Sequence, residues 1–213
     1  MPDLATIVLM IPPILAALTI HEFAHGYVAW KLGDPTARME GRLTLNPLAH
    51  LDPIGTILLF LFYFGWAKPV PVNPFYFRRP RTDMIWVALA GPASNVVLAF
   101  LLGGTLRSLL DYNLIEPYGL AYRMLTISVF LNLMLAFFNL LPIPPLDGSK
   151  VVAGIIPLQY LGMWERIERV GPFILLGVII LGRLTHIPIF GSTIYPVSRF
   201  LYRLFTGGAP LLN

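Results

Sequence analysis

The chain has no cysteine, few charged residues and only four histidines among 213 residues. Without cysteine there can be no disulfide, no thiolate nucleophile and no thiolate metal site, so any metal must be held by His and carboxylate groups. Charged residues make up 12% of the chain, against ~25% in a typical soluble domain. Hydrophobic residues reach 56%. That balance argues against a water-soluble fold and for one that uses the bilayer as its solvent. The net charge of +4 is small and sits in connecting stretches, and no basic run alternates with aromatics, which sets nucleic acid aside as a partner. Almost no basic residue precedes the first apolar run at Leu4, and no small-residue cleavage site follows it. The run is therefore expected to stay as a membrane helix rather than to be removed as a signal peptide. No internal repeat or low-complexity stretch is present.

What the chain does have is apolar runs near the ~20 residues that a helix needs to cross a hydrocarbon core. They predict spans over about residues 4–30, 84–106, 122–140 and 170–185, the second starting at Asp83. The stretch 54–66 is apolar but short, and Asp52, Pro53, Gly55, Gly65 and Pro69 bracket it with turn signals, so it is expected to be re-entrant or interfacial. Over 194–205, Arg199 and Arg203 lie one turn apart among leucines and aromatics, the pattern of an interfacial helix. The fold expected is an all-α, multi-pass membrane bundle of about four to six spans, with a short re-entrant or β-hairpin element after the first. Residues 1–213 are read as a single membrane domain. Residues 31–83 hold Lys31, Arg38, Arg42, Lys68, Arg78, Arg79 and Arg81, whereas Arg107 and Arg123 are balanced by Asp111 and Glu116. The positive-inside bias puts residues 31–83 in the cytoplasm and the N-terminus outside the cell membrane. Within that stretch, residues 36–45 alternate polar and apolar positions as a half-buried strand would, and offer an edge to which an extended substrate could add; a plain hairpin reads equally well.

Chemistry concentrates at the inner end of the first span, in His21-Glu22-Phe23-Ala24-His25. Spacing of four puts both imidazoles on one helical face, where they can bind one Zn²⁺ with Glu22 beside it. Three ionisable groups within a turn and a half of a membrane helix cost several kcal/mol without a partner, so they call for a metal or a polar counterpart. Two His leave a tetrahedral site incomplete. His50, His186 and the carboxylates at membrane depth are candidates for the third ligand, and Asp147 is the strongest. It closes the run Asn139-Leu-Leu-Pro-Ile-Pro-Pro-Leu-Asp-Gly148, whose Pro142, Pro144 and Pro145 cannot continue a regular helix. Irregular backbone at that depth is tolerated only where protein or water covers it, so it marks a cavity. A plainer reading makes Asp147 the N-cap of a short helix over 148–156. His186 reads as interfacial, and His50 as a loop residue, a gate or a support for the site.

The order of these motifs resembles that of the site-2 protease family of intramembrane zinc metalloproteases, peptidase family M50, over most of the chain. Gly91-Pro-Ala-Ser-Asn95 is similar to the family's central-helix motif. Asn46-Pro-Leu-Ala-His50-Leu-Asp52-Pro resembles the small subgroup without a PDZ or CBS domain. The resemblance implies one Zn²⁺ per chain with His21, His25 and Asp147 as ligands and Glu22 as catalytic base. It implies Asn95 and Asn139 as polar groups near the site, for an oxyanion or for substrate positioning; simple interhelical hydrogen bonding is the alternative for both. It also implies a membrane-protein substrate cut within or near its transmembrane segment, in regulated intramembrane proteolysis. The competing class is a membrane transporter or metal-ion carrier that uses the same His, Glu and Asp cluster as a transit site. A catalytically dead membrane scaffold is disfavoured because every expected catalytic residue is there. Neither substrate identity nor oligomeric state is legible.

Overall fold

A computed structural model describes residues 4–55, 65, 67–185 and 189–212. Seven α-helices account for most of them: α1 (Leu4–Lys31), α2 (Thr36–Met39), α3 (Pro80–Asp111), α4 (Leu120–Asn139), α5 (Asp147–Ile155), α6 (Leu161–Thr185) and α7 (Gly191–Thr206). Three are long and apolar enough to cross a bilayer, namely α1 from Val8, α3 and α4. The protein is thus an all-α membrane protein, as its composition requires, because only helices satisfy every backbone group within one segment in hydrocarbon. At the C-terminal end of α1, Lys31 lies over the rings of Tyr27 and Trp30, and Arg38 over Trp30, the aromatic and basic pairing typical of a membrane interface.

Helix α3 begins earlier than Asp83. Pro80 occupies the first turn, where its missing N–H costs nothing, and Asp83 Oδ2 reaches back to accept the Arg79 N–H at 2.9 Å. The expected span 170–185 is the C-terminal part of α6, whose first turns carry Glu165, Arg166, Glu168 and Arg169.

Helix α3 is the axis of the bundle and packs against α1, α4, α5 and α7. One core cluster joins Ala99 of α3, Val129 and Leu133 of α4, and Tyr202 of α7. Another joins Ala29, Phe77 and Val87. The stretch expected to be an interfacial helix, 194–205, falls within α7, which packs one face against α3 and α4. Ile194, Ser198, Tyr202 and Thr206 of α7 form a buried stripe at helical spacing, and the Tyr202 hydroxyl donates to the Pro210 carbonyl at 3.1 Å.

Residues 36–45 do not form the expected strand. Asp34 Oδ1 accepts both the N–H and the hydroxyl of Thr36, which starts the short α2, and Gly41 at φ 67° turns the chain away. The local cap outweighs the alternating pattern. Among the described residues the one β-type pairing is the isolated bridge between Leu51 and Ala67. Most of the expected re-entrant or β-hairpin element at 54–66 lies outside the described residues.

Candidate metal centre

On α1, His21 and His25 are both buried, one helical turn apart, with their rings edge to face. Each imidazole is held by its Nδ1. His21 Nδ1 lies 2.6 Å from Asn95 Oδ1, and His25 Nδ1 lies 2.7 Å from the Val87 carbonyl. Asn95 donates through Nδ2 to the Ala17 carbonyl at 3.0 Å and to Asn132 Oδ1 at 2.7 Å, so its Oδ1 is free to act as acceptor. Both Nδ1 atoms therefore face acceptors and donate to them, which leaves the two Nε2 atoms as the ones that can ligate a metal. The two Nε2 atoms lie only 3.0 Å apart.

Asp147 Oδ2 completes the triangle, 3.1 Å from His21 Nε2 and 3.2 Å from His25 Nε2. Three potential ligand atoms thus converge within 3.2 Å of one another, close enough for one cation to bridge them. The edges approach the roughly 3.3 Å expected between ligands of a tetrahedral ion held at ~2.0 Å. Two His and one carboxylate are also a donor set suited to zinc.

The sequence builds each part of this arrangement locally. Pro92 removes the N–H that would bond the Ala88 carbonyl, and at the adjacent residue the Val87 carbonyl receives His25. Gly91 supplies room, because a Cβ there would stand 2.6 Å from His21 Nε2 and collide with His25 as well. Gly148 lets the chain fold back on the end of α4, where a Cβ would strike the carbonyls of Leu140 and Leu141. Asp147 stands at the first position of α5 with Leu146 at the N-cap position and no side-chain cap hydrogen bond. Its carboxylate turns to the imidazoles, so the capping role weighed above is not the one it takes. At the other end of α5, Arg81 donates to the carbonyls of Ala153 and Ile156 and fixes the helix that carries Asp147.

Glu22 is half-buried beside the cluster, and its Oε2 accepts the Val70 N–H at 2.8 Å. Among the described residues its Oε1 accepts no hydrogen bond. Asn139 donates to the Leu135 carbonyl of its own helix at 3.0 Å and, among the described residues, forms no hydrogen bond with the donor cluster. The polar residue that α4 does send to the site is Asn132, which sequence reading missed. The available signal was its place in mid-span, where a buried amide needs partners. His50 is buried and donates from Nε2 to the Thr44 carbonyl at 2.8 Å, apart from the three-donor cluster. His186 lies outside the described residues.

Apolar spanning helices around a buried His, His and Asp cluster, with a carboxylate at hand, define a membrane metalloprotein with the donor set of a metallohydrolase. Comparison with known proteins agrees. The family model described as peptidase family M50 matches residues 113–181, the part that contains α4 and Asp147. YwhC of Bacillus subtilis, named provisionally as a zinc metalloprotease, is 45% identical over 68% of this chain and 67% of its own length. Rip2 of Mycolicibacterium smegmatis, named in the same provisional way, is 34% identical over 66% of this chain and 54% of its own length. Stage IV sporulation protein FB of Bacillus subtilis is 28% identical over 63% of this chain and 46% of its own length. The chain thus spans about two thirds of the first relative and about half of the others. No solved structure matches it. The chain belongs to peptidase family M50 and is a zinc metalloprotease.

Proposed function

We propose that this protein is an intramembrane endopeptidase that hydrolyses peptide bonds within or near the transmembrane segments of membrane proteins, as a step of regulated proteolysis. The observation that carries the reading is the set of three potential ligand atoms converging beside Glu22, toward the C-terminal end of a membrane helix. His21, His25 and Asp147 hold the zinc, which when bound supplies Lewis acidity at the scissile carbonyl. Glu22 takes the proton of the attacking water and returns it to the amine nitrogen as the peptide bond breaks. Asn95 has both amide hydrogens engaged, so it serves by orienting His21 rather than by donating to an oxyanion. Asn139, at the end of α4, serves substrate positioning rather than the oxyanion. The excess of cations between α1 and α3 supports an outside N-terminus and a site that opens toward the cytoplasm.

The test is purified protein in liposomes with a panel of single-span substrates, assayed with a chelator and again after zinc is restored. Cleavage should disappear and return, with product ends mapping by mass spectrometry within or near the substrate span. Zinc that binds and crosses the vesicle wall without any substrate being cut would favour the carrier reading instead. A smaller effect is expected at Asn95. Asn95→Ala releases the His21 ring and should weaken zinc binding ~10–100-fold, measured by competition with a chromophoric chelator. Wild-type affinity in that variant would remove Asn95 from the site.

A further inference from the structure

The Val70 N–H that holds Glu22 comes from a segment with unusual backbone chemistry. Residues 67–73 read Ala-Lys-Pro-Val-Pro-Val-Asn, so in the Pro69-Val70-Pro71 triplet the single N–H is the one that reaches Glu22. The segment is tied down on both sides. Lys68 N–H donates to the His50 carbonyl at 2.9 Å, and Asn73 N–H to Asp34 Oδ2 at 2.7 Å. Between these anchors lies Arg42, whose Nη2 donates to the Lys68 carbonyl at 2.9 Å and to the Pro69 carbonyl at 3.3 Å. The Val70 side chain packs on Gly26, one helical turn beyond Glu22, where a Cβ would come within 3.0 Å of Val70 Cγ1.

Arg42 is a costly residue to keep. It is 9% exposed, its Nε has no hydrogen-bond partner, and among the described residues no carboxylate forms an ion pair with it. A buried guanidinium satisfied only by two backbone carbonyls costs more than a neutral clamp would. What it gains is control of the two carbonyls that flank Pro69, directly before the one donor that fixes the Glu22 carboxylate.

We infer that Arg42 is a positioning residue for catalysis, which acts through the Lys68 to Val70 backbone to aim Glu22 at the metal centre. The inference rests on Glu22 being the base, and its test separates the two ideas. Amide hydrogen exchange at Val70 is read in wild type, Glu22→Ala and Arg42→Ala, with zinc content and the turnover of a cleaved single-span substrate measured on the same preparations. Exchange at Val70 should accelerate at least ~10-fold in both variants. In Arg42→Ala zinc should stay bound, kcat should fall ~100-fold and KM should change little, because a misdirected base slows the chemical step without weakening binding. Arg42→Lys, which restores one donor to the carbonyls, should recover most of the kcat. Adding Val70→Pro to Arg42→Ala should cost nothing further, since both remove the same support.

Unchanged protection at Val70 in Arg42→Ala overturns the inference, whatever the activity. So do fully additive losses in the double variant, or a loss of zinc that Arg42→Lys does not repair. If Glu22→Gln cleaves as wild type does, the assignment of Glu22 as base fails, and the exchange data still report whether Arg42 holds Val70.

Discussion

Glu22→Gln should abolish cleavage while leaving zinc bound. The amide keeps the size of the carboxylate and can still accept the Val70 N–H through its carbonyl oxygen, so the side chain need not move. His21, His25 and Asp147 are untouched, and their mutual distances do not depend on Glu22. Lost is the ability to take a proton and hand it on, an effect worth ~10²–10⁴-fold in rate. The loss should appear in kcat, with KM and the zinc stoichiometry near their wild-type values. Turnover at the wild-type rate would mean that another group is the base. Since Glu22 stands between the two histidine ligands in the sequence and is half-buried, that outcome would undermine the mechanism and not only one assignment.

The parts of the site that sequence reading could find are those with a fixed local period or an obligatory cost. His21 and His25 follow from the helical repeat, and Glu22 from its place between them. Asp147 follows from the proline run that ends α4, because such a backbone at membrane depth needs a reason. Cations in 31–83 flagged a stretch that packs against the site, yet not the job of any one of them. Arg42 looked like one more topology-setting charge, and only the fold brings its guanidinium to the carbonyls of Lys68 and Pro69. Pairing of Asn95 with Asn132 depends on the rotation of α3 against α4, which neither helix encodes alone. The strand expected over 36–45 failed for the opposite reason: the alternation was real, but Asp34 accepts the Thr36 N–H and a helical turn starts there, in a segment for which the described residues offer no strand to pair with.

Gly91→Ala is the second substitution with a large expected effect, and it should empty the metal centre of a protein that remains folded. An alanine in the middle of a helix is favoured over glycine by about 0.5–1 kcal/mol, so α3 itself should be no less stable. The new methyl group, however, would stand 2.6 Å from His21 Nε2 and clash with His25, in the space on which the three donors converge. Helix α3 cannot easily retreat. Asn95, one turn further along, is bonded to α1 at His21 and the Ala17 carbonyl and to α4 at Asn132, and Val87 on the preceding turn holds His25. The rings must therefore swing away and give up the geometry that their Nδ1 partners impose. Loss of this orientation alone weakens a metal site by ~10–100-fold, and occlusion of the ion's volume adds to it, so zinc affinity should drop at least ~100-fold. Zinc per chain and the helical thermal transition, measured together in detergent, decide the matter. Zinc lost with the transition unchanged supports a cradle shaped by Gly91, whereas a full complement of zinc in Gly91→Ala would mean that the ion sits elsewhere than among His21, His25 and Asp147.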